Sequence, residues 1–157
     1  MPELLDREAI LREAVELART QHGGALATMH AEDGTPYLTF VLFHLRDDGT
    51  VLFASAARSQ HARNIAATPE VSFLVDNREV IRKDWTAFDR LVIEGRAVEV
   101  PARDQRHELY LRELGAKDRL TAHFISRGEL YCIIPRRIVL MKGIDGGRHV
   151  ADFGGAE

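Results

Sequence analysis

The chain has 157 residues, of which 45% are hydrophobic and 29% charged, with a formal net charge of -3. That is the balance of one ordinary globular domain, and it argues against an electrostatic nucleic-acid surface, as does the scatter of the basic residues. The single cysteine, Cys132, rules out an internal disulfide, and no apolar run approaches the ~20 residues of a membrane helix. The opening residues, Met1-Pro-Glu-Leu-Leu-Asp-Arg-Glu, lack the basic and apolar regions of a signal peptide, so the expected location is the cytoplasm.

Residues 5–21 read as a helix capped by Asp6, with Ile10, Ala14, Leu17 and Ala18 at helical spacing and His22-Gly23-Gly24 as its stop. The period then changes. Residues 25–31, 37–45 and 51–55 read as strands joined by Glu32-Asp33-Gly34-Thr35 and Arg46-Asp47-Asp48-Gly49, which makes an antiparallel meander. Residues 59–67 read as a short helix ended by Thr68-Pro69, and 71–75 as a fourth strand. The stretch 76–88, with Trp85 inside it, is polar and irregular. Residues 90–100 form a strand with Leu91, Ile93 and Ala97 on one face and Glu94 and Arg96 on the other. Pro101 starts a helix over 102–114, Gly115-Ala116-Lys117-Asp118 breaks it, and 119–126 add one or two helical turns. Residues 130–143 are the last sheet segment, interrupted at Pro135 and apolar enough for burial on both faces. The glycine-rich tail, 145–157, is expected to fray or to drape over a partner. The whole, 1–157, reads as one α+β domain: a mainly antiparallel barrel of six or so strands over 25–143, with flanking helices.

The stretch Phe53-Ala-Ser-Ala-Ala-Arg-Ser-Gln-His-Ala-Arg-Asn64 carries the most chemistry. A strand ends at Ser55 and a helix begins near Ser59, with Arg58, His61 and Arg63 beside the junction. A helix N-terminus offers unpaired N–H groups and a positive dipole end, so hydroxyls and cations there suit a phosphate. The same content also suits an ordinary cap, Ser59, among solvated basic residues, and spacing alone leaves both readings open. The histidines lack the organised spacing of a metal site; His107-Glu108, for instance, has no second histidine one turn on. Cys132 reads as a buried, inert thiol. Asp76-Asn77-Arg78 reads as a turn with an Asx cap or as a functional strand end. Trp85 either stacks on a ligand or caps the core.

In order and spacing, Gly34-Thr-Pro36, Asp48-Gly-Thr-Val-Leu-Phe-Ala-Ser55, Ser59-Gln-His-Ala-Arg-Asn64, Thr68-Pro-Glu-Val71, Asp89-Arg-Leu-Val-Ile-Glu-Gly-Arg-Ala97 and Tyr131-Cys-Ile-Ile-Pro-Arg-Arg-Ile138 resemble the pyridoxamine 5'-phosphate oxidase-related family, the FMN-binding split barrels. The resemblance covers roughly residues 25–143. It implies a split barrel that binds FMN at a homodimer interface. The family's phosphate contacts carry over to Ser55, Ser59 and His61, with Arg58 and Asn64 beside them; His61 stands where many members have lysine. The ring system carries over to the backbone of Thr39, Phe40 and Val41, and Trp85 becomes a stacking candidate. The implied activity is that of an FMN-dependent oxidoreductase with a small-molecule substrate or electron donor. The same scaffold serves as a non-catalytic flavin- or haem-binding module and as a deazaflavin-dependent reductase, and these alternatives stay open. Pyridoxamine 5'-phosphate is not the expected substrate, because the arginine- and tryptophan-containing closing motif of true oxidases is replaced here by Arg148-His-Val-Ala-Asp-Phe-Gly-Gly. A homodimer is also expected from apolar surface, which residues 130–141, the strand 90–100 and the tail would supply beyond the needs of one barrel.

Overall fold

Asp6 accepts the Ala9 N–H at 2.8 Å and starts α1 (Arg7–Arg19), which buries Ile10, Ala14, Val15 and Ala18. The computed structural model describes residues 2–126 and 128–154. The helix ends at Thr20, whose hydroxyl returns to the Leu17 carbonyl. The glycines read as its stop are instead the first residues of β1 (Gly23–Met29), because Gly23 already pairs with Leu42 of β2 (Pro36–Leu45). A second turn leads to β3 (Val51–Ser55); there Gly49 takes a φ of +91° that other residues rarely adopt, and its N–H reaches the Arg46 carbonyl. Ser59 caps α2 (Gln60–Ala67), which delivers the chain to β4 (Glu70–Asp76).

The irregular stretch that follows holds one turn of helix, α3 (Arg78–Ile81), and a 3-10 turn (Trp85–Ala87). Asn77 closes this loop: its amide donates to the Ala87 carbonyl and its oxygen accepts the Asp89 N–H. Asp76 is buried and takes the Arg78 guanidinium, so this strand end is a turn device. β5 (Arg90–Glu99) alternates as expected, Leu91, Ile93 and Ala97 inward. α4 (His107–Gly115) begins five residues later than Pro101 suggested. The intervening residues form a turn in which Asp104 accepts the Arg106 N–H and guanidinium, and Arg106 holds that carboxyl down at about 2. α5 (Arg119–Ile125) and the long β6 (Glu129–Met141) follow. The tail neither frays nor leaves the domain: β7 (Arg148–Asp152) pairs with β6, while 155–157 lie outside the described residues.

The sheet runs β3-β2-β1-β4-β5-β6-β7, and a β3–β6 pairing closes six strands into an antiparallel barrel with five helices around it. One edge of β6 is shared. Its first residues pair with β3 and its last with β7. Inside β6, the register shifts by one residue opposite Glu94 and Gly95. The shift exchanges odd for even positions, so Tyr131 and Ile133 point inward before it, and Ile138 and Leu140 after it. Pro135 marks this bulge in the sequence.

The core inside the barrel is built on Phe43, Phe53, Phe73, Leu91, Ile93 and Ile133, with α1 closing one end through Ile10 and Ala14. Burying one such large side chain contributes about 1.5–3 kcal/mol. A second core lies outside β3 and β6, where Leu52, Leu130 and Cys132 meet Tyr110 and Leu114 of α4. Burial there pushes the Cys132 thiol up to about 11, which keeps it protonated and inert. Among the described residues, no helix is long and apolar enough to cross a membrane.

Candidate ligand-binding slot

The seam of the barrel creates the site. β1 pairs with β2 from Pro36 to Leu42, but only Phe43, His44 and Leu45 of β2 reach β3. Along its first seven residues β2 therefore keeps a free edge. α5 lies across this gap and leaves a slot of about 390 Å³, a size that suits a small organic ligand. Phe40, Val41 and Leu42 form one wall, Ala54 the floor, and Leu120, Thr121, Phe124 and Ile125 the other wall. Ser55, Ser59 and His61 line the polar end, where β3 gives way to α2.

That end is locally specified. Ser59 accepts the Ala62 N–H at 3.1 Å as the N-cap of α2, and its hydroxyl lies 2.7 Å from that of Ser55. The ordinary-cap reading of Ser59 is thus correct, and the cap also lines the slot. His61 sits in the first turn, its ring tilted against Phe53 at 6.4 Å. Burial holds its pKa below the ordinary histidine range. Its Nε2 is buried and has no hydrogen-bond partner. Among the described residues, three buried side-chain polar atoms are left so, and two of them, His61 Nε2 and Thr121 Oγ1, belong to this one slot. An unpartnered buried polar atom costs about 1–3 kcal/mol, so two in one cavity mark a surface shaped for something polar to enter.

Five residues singled out from the sequence, Phe40, Val41, Ser55, Ser59 and His61, line the slot together. Thr39 pairs with Leu26 and turns into the barrel rather than into the slot. Arg58 is exposed at the rim, and among the described residues its guanidinium has no hydrogen bond or ion pair; its carbonyl receives the Arg63 guanidinium at 2.7 Å. Asn64 is fully buried and committed to the scaffold. It donates to Thr28 Oγ1 and accepts from the Ala31 N–H and the Gln60 amide, which ties α2 to β1. Trp85 lies beyond the far end of β4 from α2, packed edge-on against Phe88 and largely exposed. Among the described residues, no group of three or more His, Cys, Asp or Glu is placed to hold a metal ion.

The family model for pyridoxamine 5'-phosphate oxidase matches residues 10–138. The chain belongs to the pyridoxamine 5'-phosphate oxidase family. No curated protein matches the sequence. Solved structures share the fold at low identity. A haem-binding protein from Mycobacterium smegmatis is 21% identical over 94% of this chain and 60% of its own, with a TM-score of 0.78. HutZ, the haem storage protein from Vibrio cholerae, is 20% identical over 84% of this chain and 93% of its own (TM-score 0.67). An FAD-binding protein from Mesorhizobium loti is 17% identical over 82% and 90% (TM-score 0.66). This chain spans less than two thirds of the mycobacterial protein and 62% of ChuZ from Campylobacter jejuni.

In this member of the oxidase family the α5 wall was missed by sequence reasoning. Its signal was present: Asp118-Arg-Leu-Thr121 has the form of a capped helix start, and Leu120 and Phe124 stand one turn apart on it. Nothing in the sequence tells which barrel edge that helix covers.

Proposed function

We propose that the slot binds FMN and that the protein is a flavin-dependent oxidoreductase. The observation that carries this is the unpartnered, buried His61 Nε2 beside the capped start of α2. A phosphate there meets the His61 imidazole, the Ser55 and Ser59 hydroxyls and the positive end of the helix, with Arg58 free to close from the rim. A bound dianion draws the histidine toward its charged form, against the pull of burial. The apolar walls suit a ring system, and the free edge of β2 through Thr39, Phe40 and Val41 offers it peptide groups. FMN, when bound, supplies the electron and hydride chemistry. The chain's part is to bind, to orient and to exclude water. Trp85 enters this reading only from a second subunit. The substrate is unassigned.

A second reading has its own support. A neutral imidazole with a free Nε2 in an apolar cleft also suits the iron of a haem, and two of the structural relatives are haem proteins by name. A deazaflavin with a phosphate-bearing tail would use the same polar end.

Titrating the purified protein with FMN, riboflavin and haemin separates these. The flavin reading expects FMN to bind more tightly than riboflavin. His61→Ala should weaken FMN by roughly ten- to a hundredfold, the loss of one charge-assisted hydrogen bond, and leave riboflavin unchanged. A Soret shift with haemin that His61→Ala abolishes, with no FMN binding, decides for haem.

A further inference from the structure

We infer that Thr121 is a second ligand-contacting residue of the slot, its hydroxyl reading a polar atom on the ring-bearing part of the ligand. This rests on the flavin reading of the slot. Thr121 is 2% exposed, and its Oγ1 is buried without a hydrogen-bond partner. It stands in the α5 wall among Leu120, Phe124 and Ile125, which carry no polar side-chain atom. The phosphate-suited groups, Ser55, Ser59 and His61, come from the junction of β3 and α2 instead. The third unpartnered atom, Arg90 Nε, belongs to a residue outside the slot. The two orphans of the slot therefore lie on different walls. A ligand that satisfies both carries an anionic end and a separate hydrogen-bonding group. A lone hydroxyl in an apolar wall discriminates by what it rejects, since an analogue without the matching atom leaves it unpaired.

A local role competes with this. Asp118 caps α5 by accepting the Thr121 N–H at 2.7 Å, and the nearby hydroxyl adds to the backbone bond in holding that carboxyl below its usual range. The hydroxyl itself makes no hydrogen bond of acceptable geometry. If it served the cap, removing it would weaken the empty protein. If it waits for a ligand, removing it relieves the empty protein and harms the complex.

The test is Thr121→Val, which keeps the shape, with Thr121→Ser, which keeps the hydroxyl. Dissociation constants for FMN and riboflavin are read by flavin fluorescence, and Tm is read on the ligand-free protein. Thr121→Val should weaken both flavins about tenfold, leaving their ratio unchanged, whereas His61→Ala changes that ratio. The Tm of the empty Val variant should rise by about 2–4 °C. Thr121→Ser should bind both flavins like the parent. Unchanged flavin affinities in Thr121→Val, or a lower Tm of the empty variant, overturn the inference and leave the flavin reading standing. Failure of the parent protein to bind either flavin overturns the flavin reading itself, and the inference with it.

Discussion

His61 and His44 are both held below the ordinary histidine pKa, and burial is the first cause for each. His44 also feels Lys117 and Arg46, which press the same way, against Glu113 and Asp47. The sign of the pH effect follows. Below the unfolded value of 6.5 the unfolded chain binds protons that the folded, ligand-free chain refuses, so stability falls as pH falls through that value. The urea midpoint of the empty protein should be lower at pH 5.5 than at 7.5, and the difference should shrink in His44→Gln/His61→Gln. An unchanged pH dependence in that variant would show that other groups carry it. Asp104 does not interfere, because its contribution is lost only as pH falls from 3.8 toward about 2. Lys117, pushed down to about 8 by burial, contributes in the same direction only at the upper end of that window. His61, which lines the slot, was legible as a candidate because a strand end, a serine cap and a basic cluster fall within a few positions. Thr121 was not, because its place in the slot depends on where α5 lies relative to a strand edge about eighty positions earlier in the chain.

Strands were legible from alternation and turns, and their boundaries moved by only a residue or two. The bulge in β6 was half visible: Pro135 announced an interruption, but not that one residue is inserted and the inward phase exchanged. Gly95 is the partner of that insertion. A Cβ there would run into the Ile134 carbonyl oxygen, a backbone atom that cannot swing aside. Gly95→Ala should lower stability by about 1–3 kcal/mol, read as a shift of the urea midpoint at unchanged slope. A variant as stable as the parent would mean that the bulge relaxes freely. β7 was not legible at all. Its sequence, Arg148-His-Val-Ala-Asp152, sits in glycine-rich surroundings, and what makes it a strand is the length of β6 left unpaired by β3. His149 then secures it: Nδ1 accepts the Leu5 N–H and Nε2 donates to the Gly146 carbonyl.

For the molecule as a whole, the apolar surface expected on residues 130–141, on the strand 90–100 and on the tail is joined by a further patch on β2. β5 and β6 bury most of their apolar residues in the chain's own two cores, and β7 buries Ala151. Among the exposed large hydrophobic residues, Ile134 of β6 and Val150 of β7 are each 37% exposed, while Leu38 at 68% and Phe40 at 67% share the outer face of β2. Register joins them to Ala27, Ala25 and Leu74 as one patch, which borders the slot through Phe40. A two-fold pairing over this face would cover it and finish the slot. Sedimentation equilibrium should give twice the chain mass of 17.6 kDa, and Leu38→Glu, which leaves the slot lining intact, should give the single mass with weaker flavin binding. A monomer at every concentration of the parent would refute this. The free edge of β2 reaches further still. Alternate residues there turn both peptide N–H and C=O toward the slot, and those groups are the same whatever side chains stand beside them. Recognition through such groups would not change with the side chains. A ligand held by those groups would keep its contact while the side chains around it drift, so the slot's cargo could change by altering only the walls.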